Sequence, residues 1–422
     1  MRVAFYTLGC KVNQYESQSM REEFVKRGHT AVSHHDDFDC IVINSCTVTA
    51  ESDRKTRQLL NRFKRENPKA LTVLTGCMAQ VTEKPQDFGA DIVIGNTDIK
   101  KIVDLSERKQ KAFEILPHTK GEKFNTPSIS SFAERTRAFM KIEDGCERYC
   151  TYCIIPYARG FVRSKPLDEI KDEAISLAKN GYKEIVLVGI NLSAYGKGDT
   201  VNLCDAVDTV CSVDGIERVR LGSLEPDHIS DEMLERFKIQ EKFCPQFHLS
   251  LQSGSDSVLK RMNRHYDTAF YEDLVARIRN TFPDAAISTD IMVGFPNESE
   301  TEFEESLKFA KKIKFAKTHV FAYSRRKGTV ADRMDGQITN SVKKERSQKM
   351  LALTLETEKE FLNSLVGTEL SVLFETEENG KWVGYTKNYA RVETESETPL
   401  GGLLKDVKIT SVKNESCEGV LI

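Results

Sequence analysis

Three cysteines stand close together near the middle of the chain, in the run Cys146-Glu147-Arg148-Tyr149-Cys150-Thr151-Tyr152-Cys153. Gly145 precedes the run and Ile154-Ile155-Pro156 follows it. Three thiolates at this spacing can hold three irons of a [4Fe-4S] cube and leave the fourth iron open to a substrate or cofactor. A fourth Cys would close the cluster and suit it to electron transfer or structure, and the run has none. Zinc is the bland alternative. It usually takes paired C-x-x-C hairpins or added His, and no His lies nearby. Iron–sulfur is the stronger reading, and three idle core thiols the weakest.

A second set of thiols is dispersed. Cys10, Cys46 and Cys77 each follow an apolar run, in the contexts Thr7-Leu8-Gly9-Cys10, Ile43-Asn44-Ser45-Cys46 and Thr75-Gly76-Cys77. The elements that would gather them are legible. Residues 1–116 alternate strand-like runs (2–8, 40–44, 71–75, 91–94) with helical runs (14–27, 50–66, 98–108). Such alternation argues for a parallel sheet with helices on its faces. Carboxyl ends of parallel strands share one edge, where ligand sites form, so the three thiols would converge there. Any one of them could be an ordinary buried strand cysteine. Their shared position, two directly after Gly, favours a joint ligand role. Cys40, Cys204, Cys211, Cys244 and Cys417 lack the pattern.

Residues 117–134, with Pro117, Gly121, Pro127 and five Ser/Thr, read as a linker. Residues 135–365 return to alternation, with strands expected at 138–142, 184–189, 218–222, 246–251, 287–293 and 318–323. Helices fall between them, for example 167–179 and 301–314, and a long charged helix, 341–365, follows. Six βα units predict a partial (β/α)6 barrel whose reactive end lies at the carboxyl ends of its strands. Residues 367–422 change to short alternating runs between turn signals, which predicts a small β-barrel or sandwich. The expected fold class is α/β, with that small β unit at the end.

At 422 residues, 39% hydrophobic, 30% charged and net −3, the chain suits a soluble protein of two or three domains. No apolar stretch approaches a membrane span, and Met1-Arg2-Val3-Ala4-Phe5-Tyr6 runs straight into a strand without a signal peptide. Eleven scattered cysteines fit a reducing cytoplasm rather than a disulfide scaffold. The near-neutral charge carries no global argument for nucleic acid.

The C-x-x-x-C-x-x-C spacing resembles the signature of radical S-adenosylmethionine (SAM) enzymes. Together with the dispersed triad and the β tail, the whole chain resembles the methylthiotransferase family of those enzymes. The likeness rests on Leu8-Gly9-Cys10-Lys11-Val12-Asn13-Gln14-Tyr15-Glu16-Ser17, Asn44-Ser45-Cys46-Thr47-Val48-Thr49, Thr75-Gly76-Cys77, Leu251-Gln252-Ser253-Gly254-Ser255 and Val293-Gly294-Phe295-Pro296. The tail looks like a TRAM domain, an RNA-binding barrel. The resemblance implies a reaction that places a methylthio group on an unactivated C–H position. One branch modifies a ribosomal protein Asp; two act on the tRNA adenosine 3′ of the anticodon, carrying an N6-isopentenyl or an N6-threonylcarbamoyl group. The stretch from Cys10 to Glu16 looks most like the threonylcarbamoyl branch. The isopentenyl branch is the rival, and a non-catalytic iron–sulfur or zinc RNA-binding protein is the reading of another class.

By resemblance, two [4Fe-4S] clusters and SAM are the cofactors. Cys146, Cys150 and Cys153 hold the cluster that chelates SAM and generates a radical at C2 of the adenine. Cys10, Cys46 and Cys77 hold an auxiliary cluster carrying the sulfur, which a second SAM methylates. Implied partners are tRNA, a reduced flavodoxin- or ferredoxin-like electron donor and a sulfur donor, with a cytoplasmic monomer and no membrane. Tyr152 would pack on the SAM adenine. Gly189 and Asn191 stand where the superfamily usually has Gly-Gly-Glu for the SAM amino group, and this chain departs from it with Gly189-Ile190-Asn191. Gln252, Ser253 and Ser255 would bind ribose or carboxylate, with a helix N-cap as the alternative for Ser255. Glu225 and Asp290 are further polar groups at strand ends. For RNA, the candidates are Arg54, Lys55, Arg57, Arg62, Lys64 and Arg65 on one helix, Arg159 and Arg163 after the cysteine run, and Trp382, Tyr385, Lys387, Tyr389 and Arg391 in the tail. Solvated charge and barrel packing are the alternatives for the helix and tail sets.

Overall fold

The structure, a computed structural model, describes residues 1–132 and 135–422; the expected linker's last two positions, 133 and 134, lie outside the described residues. Strands β1 (Arg2–Thr7), β2 (Thr30–Val32), β3 (Cys40–Ser45), β4 (Leu71–Gly76), β5 (Ile92–Ile94) and β6 (Ala112–Glu114) form one parallel sheet in the order β2-β1-β3-β4-β5-β6. All six residues of β3 are buried. Cys40 and Val42 pack with Met20, Phe24 and Ile102 on one face, while Ile41 and Ile43 pack with Leu60 and Phe63 on the other. A strand buried on both faces must be apolar at nearly every position, which is why β3 reads as a continuous run. The outer strands β2 and β6 have three residues each, too few for a periodic signal.

The central domain contains β7 (Arg137–Lys141), β8 (Glu143–Asp144), β9 (Arg163–Ser164), β10 (Glu184–Val188), β11 (Arg218–Leu221), β12 (Ser223–Leu224), β13 (Gln246–Leu249), β14 (Ala286–Val293) and β15 (Lys317–Ala322). β7, β10 and β11 pair in parallel, as do β12 to β15 in order. Only Gly222 separates β11 from β12. The expected third strand is thus one strand with a break, and the six units form an open barrel. The fourth strand stops at Leu249 rather than 251, because Gln252 takes a positive φ of 74° while bridging to Ile291.

The tail is a closed barrel of β16 (Glu369–Glu378), β17 (Lys381–Thr386), β18 (Arg391–Thr394), β19 (Leu404–Lys413) and β20 (Ser416–Leu421). Val372, Phe374, Val392, Val407 and Ile409 fill it, against Leu362 from the long helix Asn340–Ser364. Two junctions lock the three parts together. The helix Lys11–Lys26 sends Tyr15 into the barrel core, where its hydroxyl donates to Glu173 Oε1 at 2.9 Å. Arg218 Nη1 donates to Tyr385 O, and Arg220 Nη1 to Lys387 O, both at 2.8 Å, joining barrel to tail. No helix among the described residues is long and apolar enough to cross a membrane.

Candidate functional site

Cys10, Cys46 and Cys77 follow β1, β3 and β4, which are neighbours in the sheet. The register sets Thr7 beside Asn44 and Ser45 beside Gly76, so the three chain ends emerge on one edge, about 4.8 Å apart per strand. The loop around Cys10 is fixed by Asn13, whose amide nitrogen donates to Asn44 Oδ1 at 3.1 Å and to Ser45 O at 3.3 Å. Gly76 has φ +90°, and a Cβ there would collide with the carbonyl oxygen of Ser45. Only glycine permits the turn that aims Cys77. Burial is the main cause that raises the pKa of Cys10 and Cys77; Cys46 adds to both and Cys10 to Cys77, so the three sulfurs lie within electrostatic reach of one another.

Cys146, Cys150 and Cys153 occupy the loop between β8 and the short helix Ile155–Arg159. Gly145 enters it at φ +96°, packed on the Phe161 carbonyl; the amide of Cys146 donates to Gly160 O at 2.9 Å and that of Cys153 to Cys150 O at 2.9 Å. Cys150 raises the pKa of both other thiols. Burial pushes Cys77 and Cys146 to about 12. Thiols so placed stay neutral unless a positive metal centre stabilises the thiolate, and an iron–sulfur core supplies that charge. Each triad also has one guanidinium on a sulfur: Arg159 Nε at 3.1 Å from Cys77 Sγ, and Arg264 Nη1 at 3.2 Å from Cys150 Sγ. All six thiols are free.

A cavity of about 890 Å³ runs through the barrel, lined by Cys10 and Lys11 from the first domain, Gly189 and Asp290 from the barrel, and Tyr389 from the tail. On one wall His248, Asp290 and His319 stand on adjacent strands with candidate ligand atoms all within 4.8 Å of one another. His248 Nε2 is 3.5 Å from Asp290 Oδ2, and its Nδ1 is 3.1 Å from Ser288 Oγ. Elsewhere on the cavity wall the phenol of Tyr389 is held below its ordinary value. Burial pushes it up, but Arg137, Lys11 and Arg220 outweigh that.

The other expected residues are distributed unevenly. Gly189 and Asp290 line the cavity. Tyr152 packs against the cluster of Val258, Met262 and Phe295. Glu225 receives a hydrogen bond from Arg264 and faces Arg148 at 3.8 Å, so two arginines neutralise it. The amide of Asn191 donates to Glu143 Oε2 at 2.7 Å, while Asn191 Oδ1 and Glu143 Oε1 are buried without a partner among the described residues. Ser253 and Ser255 turn to the helix Glu300–Ile313, at Ser306 and Glu305, and neither they nor Gln252 line the cavity. Ser255 holds the N-cap position without a side-chain cap bond.

One RNA expectation needs correction. Arg159 and Arg163 are buried, taken up by Glu16 and Asp144, so neither offers a surface contact. Tyr385 and Tyr389 line the cavity, their rings stacked at 4.9 Å over Arg137 with Tyr389 still 38% exposed, and Lys387 Nζ donates to Glu241 O at the junction with the barrel. On helix Ala50–Glu66, Arg54 pairs with Glu51, Arg62 with Glu66 and Lys64 with Asp91, which weakens the basic patch. Sequence reading missed His248, His319, Arg264 and Glu143. The histidines carried a signal, since each sits at the inward parity of a strand that Asp290 also obeys. Arg264 and Glu143 did not, because Cys150 and Glu225 on one side and Asn191 on the other are remote from them in sequence.

An open six-unit barrel with a three-thiol loop at its active end defines the architecture of a radical SAM protein. The family model of the Radical SAM superfamily matches residues 140–310, and that of uncharacterized protein family UPF0004 matches residues 2–95. The chain is 37% identical over 437 residues to a threonylcarbamoyladenosine tRNA methylthiotransferase MtaB of Bacillus subtilis, covering 100% of this chain and 96% of the relative. It is 32% identical to a tRNA-2-methylthio-N(6)-dimethylallyladenosine synthase of Acetivibrio thermocellus, covering 99% and 90%. Among solved structures, the radical SAM methyltransferase TsrM of Kitasatospora setae aligns with a TM-score of 0.58 at 11% identity, over 85% of this chain and 89% of that one, a likeness of fold alone. The chain belongs to the radical SAM methylthiotransferase family. Membership brings one [4Fe-4S] cluster and SAM as cofactors.

Proposed function

We propose that this chain converts N6-threonylcarbamoyladenosine beside the tRNA anticodon into its 2-methylthio derivative. The observation that carries the reading is the pairing of two thiol triads through one residue. Arg159 lies in the helix that follows the Cys146–Cys153 run, yet donates to Cys77 of the other triad. The greater identity to the relative named for threonylcarbamoyladenosine supports the branch.

Cys146, Cys150 and Cys153 would hold the SAM-binding cluster, and Cys10, Cys46 and Cys77 a second one. The two buried acceptors that lack donors, Glu143 Oε1 and Asn191 Oδ1, suit the ammonium group of SAM in place of the usual Gly-Gly-Glu. When bound, these groups supply the one-electron chemistry that opens an unactivated C–H bond and the sulfur that replaces the hydrogen. The chain's own residues hold the parts still. Arg159 and Arg264 donate to one sulfur of each triad, which favours negative charge there. Lys141 Nζ reaches Glu16 at 2.8 Å and Asp144 at 2.7 Å, tying the first domain to the strand that leads into the cysteine loop. Val188 and Leu221 add apolar surface to a cavity otherwise lined mostly by polar residues. A flavodoxin- or ferredoxin-like electron donor, a separate sulfur donor and a cytoplasmic monomer complete the reading.

The test is mass spectrometry of tRNA nucleosides from cells with and without the gene. Deletion should remove 2-methylthio-N6-threonylcarbamoyladenosine and leave its unthiolated precursor. Loss of the isopentenyl derivative instead would reassign the branch. Anaerobically assembled protein should carry about eight irons per chain, as two cubes require.

A further inference from the structure

The part of the cavity wall around Lys11, Arg220 and Tyr389 carries more positive charge than its neighbours balance. Lys11, directly after Cys10, lines the cavity and keeps exposed surface although all three parts of the chain enclose it. Its amine has no hydrogen-bond or ion-pair partner among the described residues; it lies 5.8 Å from the centroid of the Phe139 ring and within electrostatic reach of the Tyr389 phenol and Glu184. Near it, Arg137, Arg218 and Arg220 share two carboxylates. Glu184 is 2.7 Å from Arg220, 3.7 Å from Arg218 and 3.9 Å from Arg137, and Glu375 is 2.6 Å from Arg137. Four cations thus face two anions, with Arg220 and Arg137 also stacked 4.7 and 5.0 Å from the centre of the Tyr389 ring. The remaining acids at the cavity are committed elsewhere: Asp290 to His248, and Glu358 and Glu415 to Lys317. Lys11 is exposed to the cavity with no ion-pair partner of its own among the described residues, so this wall offers a free cation to an anionic group on the ligand.

We propose that Lys11, backed by Arg220, receives the carboxylate of the threonylcarbamoyl group and thereby selects that base over the isopentenyl one. The inference rests on the proposed reaction, in which Cys10 belongs to the site that delivers sulfur to C2. Lys11 is the next residue, so it stands within reach of a substituent on the adenine. The threonylcarbamoyl group ends in a carboxylate, whereas the isopentenyl group is all hydrocarbon and offers Lys11 nothing.

The experiment uses the full chain with its clusters assembled anaerobically. Equilibrium binding is measured for anticodon stem-loops carrying N6-threonylcarbamoyladenosine, its methyl ester, or N6-isopentenyladenosine. The unaltered protein should prefer the acid to the ester by about 30-fold or more, the usual consequence of removing one partner of an enclosed charge pair. Lys11→Met should bind acid and ester alike, and Lys11→Arg should restore part of the preference. Iron content of both variants reports whether the neighbouring site still assembles. Equal binding of acid and ester by the unaltered protein would overturn the assignment. So would a preference retained in Lys11→Met, or a loss shared equally by all three stem-loops, which marks a phosphate contact. If the unaltered protein turns over only the isopentenyl substrate, the proposed function itself fails; turnover of the threonylcarbamoyl substrate with a carboxylate preference independent of Lys11 fails this inference alone.

Discussion

Arg159 is fully buried and meets Glu16 through both terminal nitrogens, with Asp144 and the Cys77 sulfur on its other sides. A guanidinium suits this position because its planar fork can serve a carboxylate and a sulfur at once. Burial pushes the Glu16 carboxyl up, but Arg159 and Lys141 outweigh it and hold the group below its ordinary value. The stabilisation from Glu16 is therefore present above the unfolded carboxyl pKa of about 4.3 and is lost as pH falls through the lower folded value. Replacing Arg159 by Met leaves two buried carboxylates under-compensated and should cost about 3–5 kcal/mol of stability, measured by urea unfolding at neutral pH. The same variant should lose less stability on acidification than the unaltered chain. A neutral outcome in both measurements would show that the network is not holding the domains together.

At the scale of elements, the two triads are products of strand ends. β1, β3 and β4 end side by side, and each delivers one cysteine to a common edge. The turn after β4 depends on Gly76, where a methyl group would meet the Ser45 carbonyl and the backbone would still need φ +90°. Gly76→Ala should move Cys77 away from its partners and reduce iron from about eight to about four per chain, with the other cluster retained. Iron analysis with the absorption spectrum checks this, and full iron loading would show that the turn tolerates a side chain. The parallel alternation of strands and helices was legible because buried strands read as apolar runs. The three-residue β2 and β6 were not, since strands so short carry little pattern.

For the whole molecule, the tail is a wall of the active cavity as well as a separate barrel. Arg218 and Arg220 reach backbone oxygens of Ser371, Tyr385 and Lys387, and the stacked Tyr385 and Tyr389 line the cavity. Truncation after Leu365 should lower Tm by about 5 °C or more, because charged hydrogen bonds and aromatic packing are lost from the barrel itself. An unchanged Tm would describe a tail that merely hangs from the long helix.

The sequence by itself determined the two thiol triads, the alternating α/β pattern and the β tail, since spacing and periodicity are local properties. It also singled out Asp290 and Gly189, which do line the cavity. Only the tertiary structure decided that Arg159 is a buried bridge rather than an RNA contact, that the tail tyrosines line the cavity, and that Ser253 and Ser255 serve a neighbouring helix. It alone brought Lys11 into one cavity with His248 and His319, on elements more than 200 residues apart in the chain. The physical reason is common to all of these. A charge or hydroxyl looks the same in sequence whether water or a remote partner satisfies it, and only packing determines which.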